Sequence, residues 1–263
     1  MKTIFKLIPG ILAFIYSFKS TKLLTLIAFI GILVFTLGTK HIDGIGLAST
    51  ISIFGTSIPS MFIFVSFNSI FLFSTLAVVM ITFQFCEFLL FGHFSQTIVG
   101  AYKNRYELII AYLFSALIFI VPIGISYTSY YFWMSPNMNT FLFSVINSIL
   151  YFYSILLITT FILNINSLKK YALVMIVLFF FVIPGTLTIA IPMISGDSFL
   201  SKVLVEFLNA SKNVLYIHNA FSTGIDFVQQ RSFVRYESLL QPVGIVILYM
   251  TAIVLIFKKK SFT

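Results

Sequence analysis

Apolar runs close to twenty residues long recur along the chain, each bounded by a few charged or turn-forming residues. About twenty such residues in an α-helix cross the hydrocarbon core of a bilayer. The runs fall at 23–39, 61–83, 106–126, 141–163, 171–194 and 242–257. Lipid offers no hydrogen bonds to the backbone, so each span must satisfy its own amides and carbonyls as a helix. Composition agrees: 60% of residues are hydrophobic and 9% charged, against about 25% charged in a soluble domain. The expectation is an all-α polytopic membrane protein, one transmembrane domain over residues 1–263 with six spans and almost no soluble part.

The segments between the runs have their own character. In 1–22, Leu7, Ile11, Phe14, Ile15 and Phe18 recur at helical spacing between Lys2, Lys6, Lys19 and Lys22. That pattern predicts an amphipathic helix in the membrane interface, although Pro9 and Gly10 weaken its first turn. A cleaved signal peptide is the competing reading, opposed by Lys19 and Lys22 and by the full-length span after them. Residues 44–59 are rich in Ser, Thr and Gly and read as a connection or a short interfacial helix. Ser135 to Asn139, with Pro136, is a polar turn, and Asn164 to Lys170 a polar hinge. In 195–241, Phe199, Val203, Leu204, Phe207 and Leu208, and then Val214, Leu215, Ile217, Ala220 and Phe221, predict two short amphipathic helices.

Orientation comes from the basic residues, which concentrate in cytoplasmic loops. With the first residues inside, six spans place eleven of the 16 Lys and Arg inside. The other five are Lys40, Lys202, Lys212, Arg231 and Arg235. Both termini are therefore expected on the cytoplasmic side of a cell membrane, with 195–241 outside. The formal charge of +9 is scattered in short clusters, which suits anionic lipid headgroups and not a nucleic-acid groove. The single cysteine, Cys86, excludes an intrachain disulfide and reads as a packing residue. Tyr127, Tyr130, Tyr131 and Trp133 read as an aromatic belt at the outer face.

Catalytic patterns are missing from the sequence. There is no Gly-rich lysine loop for nucleotide phosphates, no paired His with Glu on one helix face, and no Gly-x-Ser-x-Gly turn. His41, His93 and His218 are far apart and fall on opposite sides of the membrane in this topology. An intramembrane charge is the usual mark of ion or proton coupling; the spans hold almost none, which argues against a proton- or sodium-driven transporter. No metal or cofactor is expected in the chain itself, and the chain is not expected to be an enzyme.

The most informative stretch is QFCEFLLFGHFSQTIVGAYKNRY, residues 84–106. It is amphipathic, carries Glu87 at its start, Gly92 five residues later, and Lys103 and Arg105 at its end, and it leads straight into an apolar run. This arrangement resembles the membrane (permease) subunit of an ABC transporter of the ABC-2 exporter superfamily. In that family the second span ends at a Glu, succeeded by a Gly-containing amphipathic helix and a basic residue before the third span. The N-terminal amphipathic helix, the short connections among spans three to five, the half-helices before span six and the ending Phe257-Lys258-Lys259-Lys260-Ser261-Phe262 extend the resemblance over the whole chain. Where the family often shows Gly-Thr, a Leu-rich run and a Pro-Ser/Thr-Arg turn, this chain has Gly92-His93-Phe94 and Gly100-Ala101-Tyr102.

The resemblance implies two membrane subunits, identical or sister chains, around a central path, with two separate ATPase subunits binding ATP and Mg below. Segment 84–105 would be the cytoplasmic coupling segment, with Glu87, Gly92, His93, Gln96, Lys103 and Arg105 contacting the ATPase. The alternative for Glu87 is a pairing with Lys103 or Arg105 that anchors a solvated loop. Ser66, Asn68 and Ser69, with Pro184 and Gly185, are candidates for a substrate path. Helix-to-helix hydrogen bonding and a packing kink are the respective alternatives. The implied function is outward movement of an amphipathic or hydrophobic substrate, such as a peptide, a lipid-like compound or a small molecule. The alternative is a six-span substrate-capturing or scaffolding membrane protein without an ATPase partner.

Overall fold

In the computed structural model, the described residues are 2–19, 21–27, 30, 41–43, 50–53, 56–59, 75–87, 105–134, 138–165, 170–178, 194, 199–215, 225–228, 231–234 and 239–259. The helices among them include α1 Lys2–Ile15, α2 Thr75–Phe85, α3 Arg105–Met134, α4 Met138–Asn164, α5 Ala172–Val177, α6 Phe199–Leu215 and α7 Leu240–Lys259. Three contain stretches long and apolar enough to cross a membrane: Glu107–Ile125, Phe141–Asn164 and Leu240–Phe257. This is a membrane protein with a predominantly helical fold.

The helices stop where their chemistry requires. The expected third span ends at Ser126, but α3 runs on to Met134 and takes in the Tyr127–Trp133 aromatics. No glycine or proline intervenes between Ser126 and Pro136, and a proline biases the residue before it away from the helical region. α4 begins two residues after that proline. The last span, expected from Pro242, begins at Leu240, which puts Pro242 within the first turn, where its missing N–H costs nothing. The expected N-terminal helix over 1–22 is interrupted instead. α1 ends at Ile15 and a turn intervenes at Tyr16–Phe18 before helix resumes through 21–27. There Ser17 Oγ donates to the Phe14 carbonyl at 2.7 Å, the local hydrogen bond by which Ser competes with helix continuation.

Two small antiparallel sheets replace expected helix or plain connection. β1 His41–Asp43, β2 Thr50–Ile53 and β3 Thr56–Pro59 form a three-stranded sheet. In it Ile42 pairs with Ile51 and Ile51 with Ile58. The β-branched residues of this stretch favour a pleated strand over a helix. In the region before the last span, α6 is helical, most of the second expected helix lies outside the described residues, and a hairpin comes after it. Val214 and Leu215 close α6, 216–224 lie outside the described residues, and β4 Ile225–Val228 pairs with β5 Arg231–Val234.

The core is the α3–α4 pair. α1 packs on α3, α7 packs on both, and α5 packs on α4. α4 is the central helix: every residue from Tyr151 to Thr160 is buried, whereas only 22% of the apolar stretch of α7 is covered. The outward faces are apolar stripes at helical spacing, Phe114, Ile118 and Ile125 on α3 and Val243, Ile247 and Leu248 on α7, as a lipid-facing surface requires. α3 and α4 approach closely at Gly124. A Cβ there would come within 2.6 Å of Ile149 Cγ1 and 3.0 Å of the Ile149 backbone nitrogen, the small-residue contact that lets two membrane helices pack backbone to backbone.

Candidate functional site

α4 carries polar residues at positions that fall on one face, Ser144, Asn147, Ser148 and Tyr151, and others further along, Ser154, Thr159, Thr160 and Asn164; all are buried. A buried hydroxyl or amide in an apolar bundle costs free energy unless it is hydrogen-bonded. Several bond back to their own helix: Ser154 Oγ to the Leu150 carbonyl at 2.6 Å, Thr160 Oγ1 to Leu156 at 2.8 Å and Asn164 Nδ2 to Thr160 at 2.7 Å. Others cross to neighbours. Tyr153 Oη donates to the Leu113 carbonyl of α3 at 3.0 Å, and Thr75 Oγ1 of α2 lies 3.4 Å from Tyr151 Oη.

The most connected point is where α2, α3 and α4 meet. Tyr112 Oη lies 2.7 Å from Thr160 Oγ1, and Cys86 Sγ lies 3.9 Å from Tyr112 Oη and 3.8 Å from Thr160 Oγ1. The proton of the Thr160 hydroxyl goes to the Leu156 carbonyl. A hydroxyl has one proton, so Tyr112 must be the donor to Thr160. The Tyr112 oxygen is then left to accept, and the Cys86 thiol is a weak donor within reach of both oxygens. The Phe85 ring stacks on Tyr112 with centroids 4.6 Å apart and planes 15° apart, and Phe14 of α1 lies 6.0 Å from Phe85. Three elements of the bundle thus meet at Tyr112, and the N-terminal helix reaches it through Phe85.

Glu87 is the next residue along. The end of α2 widens into a π turn at Cys86 and Glu87, a local irregularity that often accompanies functional positions. Cys86 is completely buried and Glu87 is exposed. Arg105 is the first residue of α3 and Glu107 lies in its first turn, where negative charge suits the helix dipole. Tyr112 is seven residues into α3, about 10 Å along the axis, and touches Cys86. Glu87 and the start of α3 at Arg105 therefore lie toward the same end of the bundle.

Of the residues singled out in the sequence, Glu87 and Arg105 are thus brought to one end of the bundle. Gly92, His93, Gln96 and Lys103, and the path candidates Ser66, Asn68, Ser69, Pro184 and Gly185, lie outside the described residues. Cys86, read as a packing residue, is packed but also in polar contact with two hydroxyls. Tyr112 and Thr160 carry no mark in the sequence that singles them out. The polar positions Ser144, Asn147, Ser148 and Tyr151, spaced three and four apart in an otherwise apolar run, are the available sign that α4 is central.

Compared with protein-family models, curated proteins and solved structures, the chain matches none.

Proposed function

We propose that this chain is the membrane subunit of an ATP-driven exporter of the ABC-2 kind, moving an amphipathic or hydrophobic substrate outward with energy from a separate ATPase. The observation that carries the reading is the position of Glu87: exposed, in the π turn at Cys86 and Glu87, and toward the bundle end at which α3 begins with Arg105. A connection of that length with an amphipathic sequence is suited to lie on the membrane surface and present its polar face to a docked protein. An exposed loop would leave Phe91, Phe94, Ile98 and Val99 in water.

In this reading the three membrane-crossing helices are joined by spans over 23–39, 61–83 and 171–194 to give six, and both termini are cytoplasmic. The apolar face of α6 (Phe199, Leu200, Val203, Leu204 and Phe207, 43–83% exposed) rests on the outer leaflet, with Lys202 and Glu206 turned to water. A second membrane subunit, identical or related, completes the path. ATP and Mg bind the partner ATPase, and the chain contributes no catalytic residue.

The test is purification from native membranes under mild detergent, then assays on the complex and on the chain alone. An ATPase subunit should co-purify, hydrolysis should reside with it, and the stripped chain should hydrolyse no ATP. Glu87→Ala, and replacement of Gly92 by a bulky residue, should leave membrane levels unchanged while weakening partner binding or transport. Normal binding and transport in both variants would replace coupling by anchoring at this segment. Hydrolysis persisting in the stripped chain would contradict the division of labour.

A further inference from the structure

Glu87 and Cys86 are consecutive residues in opposite environments, and the Cα atoms of neighbours are fixed about 3.8 Å apart. A displacement of Glu87 therefore reaches Cys86 with almost no slack. Cys86 is held between the Tyr112 and Thr160 hydroxyls, and those two residues stand on the two helices that form the core pair. The hydrogen bonds converge on the Thr160 oxygen, one from the thiol and one from Tyr112, and the Thr160 hydroxyl donates on to the Leu156 carbonyl. They end on the backbone of the most buried helix. Asn164, the last residue of α4, donates to the Thr160 carbonyl and joins the end of α4 to the same point.

We propose that Tyr112 and Thr160 are positioning residues: with Cys86 they form the tie that delivers movement at Glu87 to the α3–α4 pair. The inference rests on the function proposed above, because the movement at Glu87 is the one a docked ATPase would impose. Stacking of Phe85 on Tyr112 supplies the apolar half of the tie and the Tyr112–Thr160 hydrogen bond the directional half. Without the hydrogen bond, the end of α2 can rotate against the stacked rings, and movement at Glu87 is absorbed in α2.

The chain has one cysteine, so its reaction with N-ethylmaleimide reads the state of the tie directly. Parent, Tyr112→Phe, Thr160→Val and Thr160→Ser are compared in native membranes at equal protein levels. Loss of one hydrogen bond should raise the Cys86 labelling rate about two- to tenfold in Tyr112→Phe and Thr160→Val. Thr160→Ser, which keeps the acceptor, should label like the parent. In the purified complex, substrate moved per ATP hydrolysed should fall in the first two variants and be restored in Thr160→Ser, with partner binding unchanged in all three.

Unchanged labelling in both Tyr112→Phe and Thr160→Val would overturn the tie. Raised labelling with parent-like transport per ATP would overturn its role in coupling. Glu87→Ala separates this inference from the function it rests on: it should lower partner binding yet leave Cys86 labelling in the isolated chain at the parent rate. If no ATPase partner is found, the function fails, and the coupling role of Tyr112 and Thr160 is overturned with it even where labelling rises.

Discussion

At the scale of single residues, the sharpest expectation concerns Gly124. In an exposed helix, Gly→Ala is stabilising because alanine is the better helix former. At Gly124 the sign reverses, because the added methyl would sit 2.6 Å from Ile149 Cγ1 with the Ile149 backbone behind it. Backbone cannot rotate away as a side chain tip can. Gly124→Ala should destabilise the fold by about 1–3 kcal/mol, the usual cost of overpacking, whereas Gly244→Ala, with nothing within 4 Å, should be neutral or slightly stabilising. Thermal unfolding of the two variants in detergent checks this, and equal stabilities would refute the close approach. In the sequence Gly124 is only one glycine in an apolar run. What makes it matter is the relative rotation of α3 and α4, which periodicity within either helix leaves open. The same holds for Cys86, Tyr112 and Thr160, which lie far apart in the chain and meet only once three helices are packed.

Among whole elements, helices are more legible than their ends. The apolar lengths of α3, α4 and α7 point to membrane helices because lipid leaves a long apolar run no other structure. Their boundaries shift by two residues at α7 and eight at α3, because hydropathy marks the membrane while Pro136 and Pro242 mark the helix. The sheets go unread although a signal is present. In Thr50–Ile53 apolar and polar residues alternate, and Ile225–Val228 and Arg231–Val234 are separated by two residues, the spacing of a hairpin. The same region holds α6, whose clean amphipathicity makes a second prediction. A nitroxide at a Phe207→Cys site should be more accessible to oxygen than to a water-soluble nickel complex, and one at Glu206→Cys the reverse. Equal, water-like accessibility at both sites would remove α6 from the membrane surface.

The whole molecule turns on which side each segment faces and on what moves it. Eleven of the 16 basic residues fall inside if the termini are cytoplasmic, a bias that predicts the labelling pattern directly. A membrane-impermeant maleimide added outside intact cells should modify Ser211→Cys and spare Ser167→Cys. The opposite pattern would invert the topology and carry Glu87 to the wrong face for an ATPase. Coupling itself is read by photocrosslinking in native membranes from a benzophenone amino acid placed at Glu87, with Leu200 on α6 as the control site. An ATPase docked at this end of the bundle should give an adduct at Glu87, absent at Leu200, between this chain and a soluble-domain protein that binds ATP, and ATP analogues should change its yield. An adduct only to lipid, to this chain itself or to a protein that binds no nucleotide would contradict an ATP-driven role for the chain.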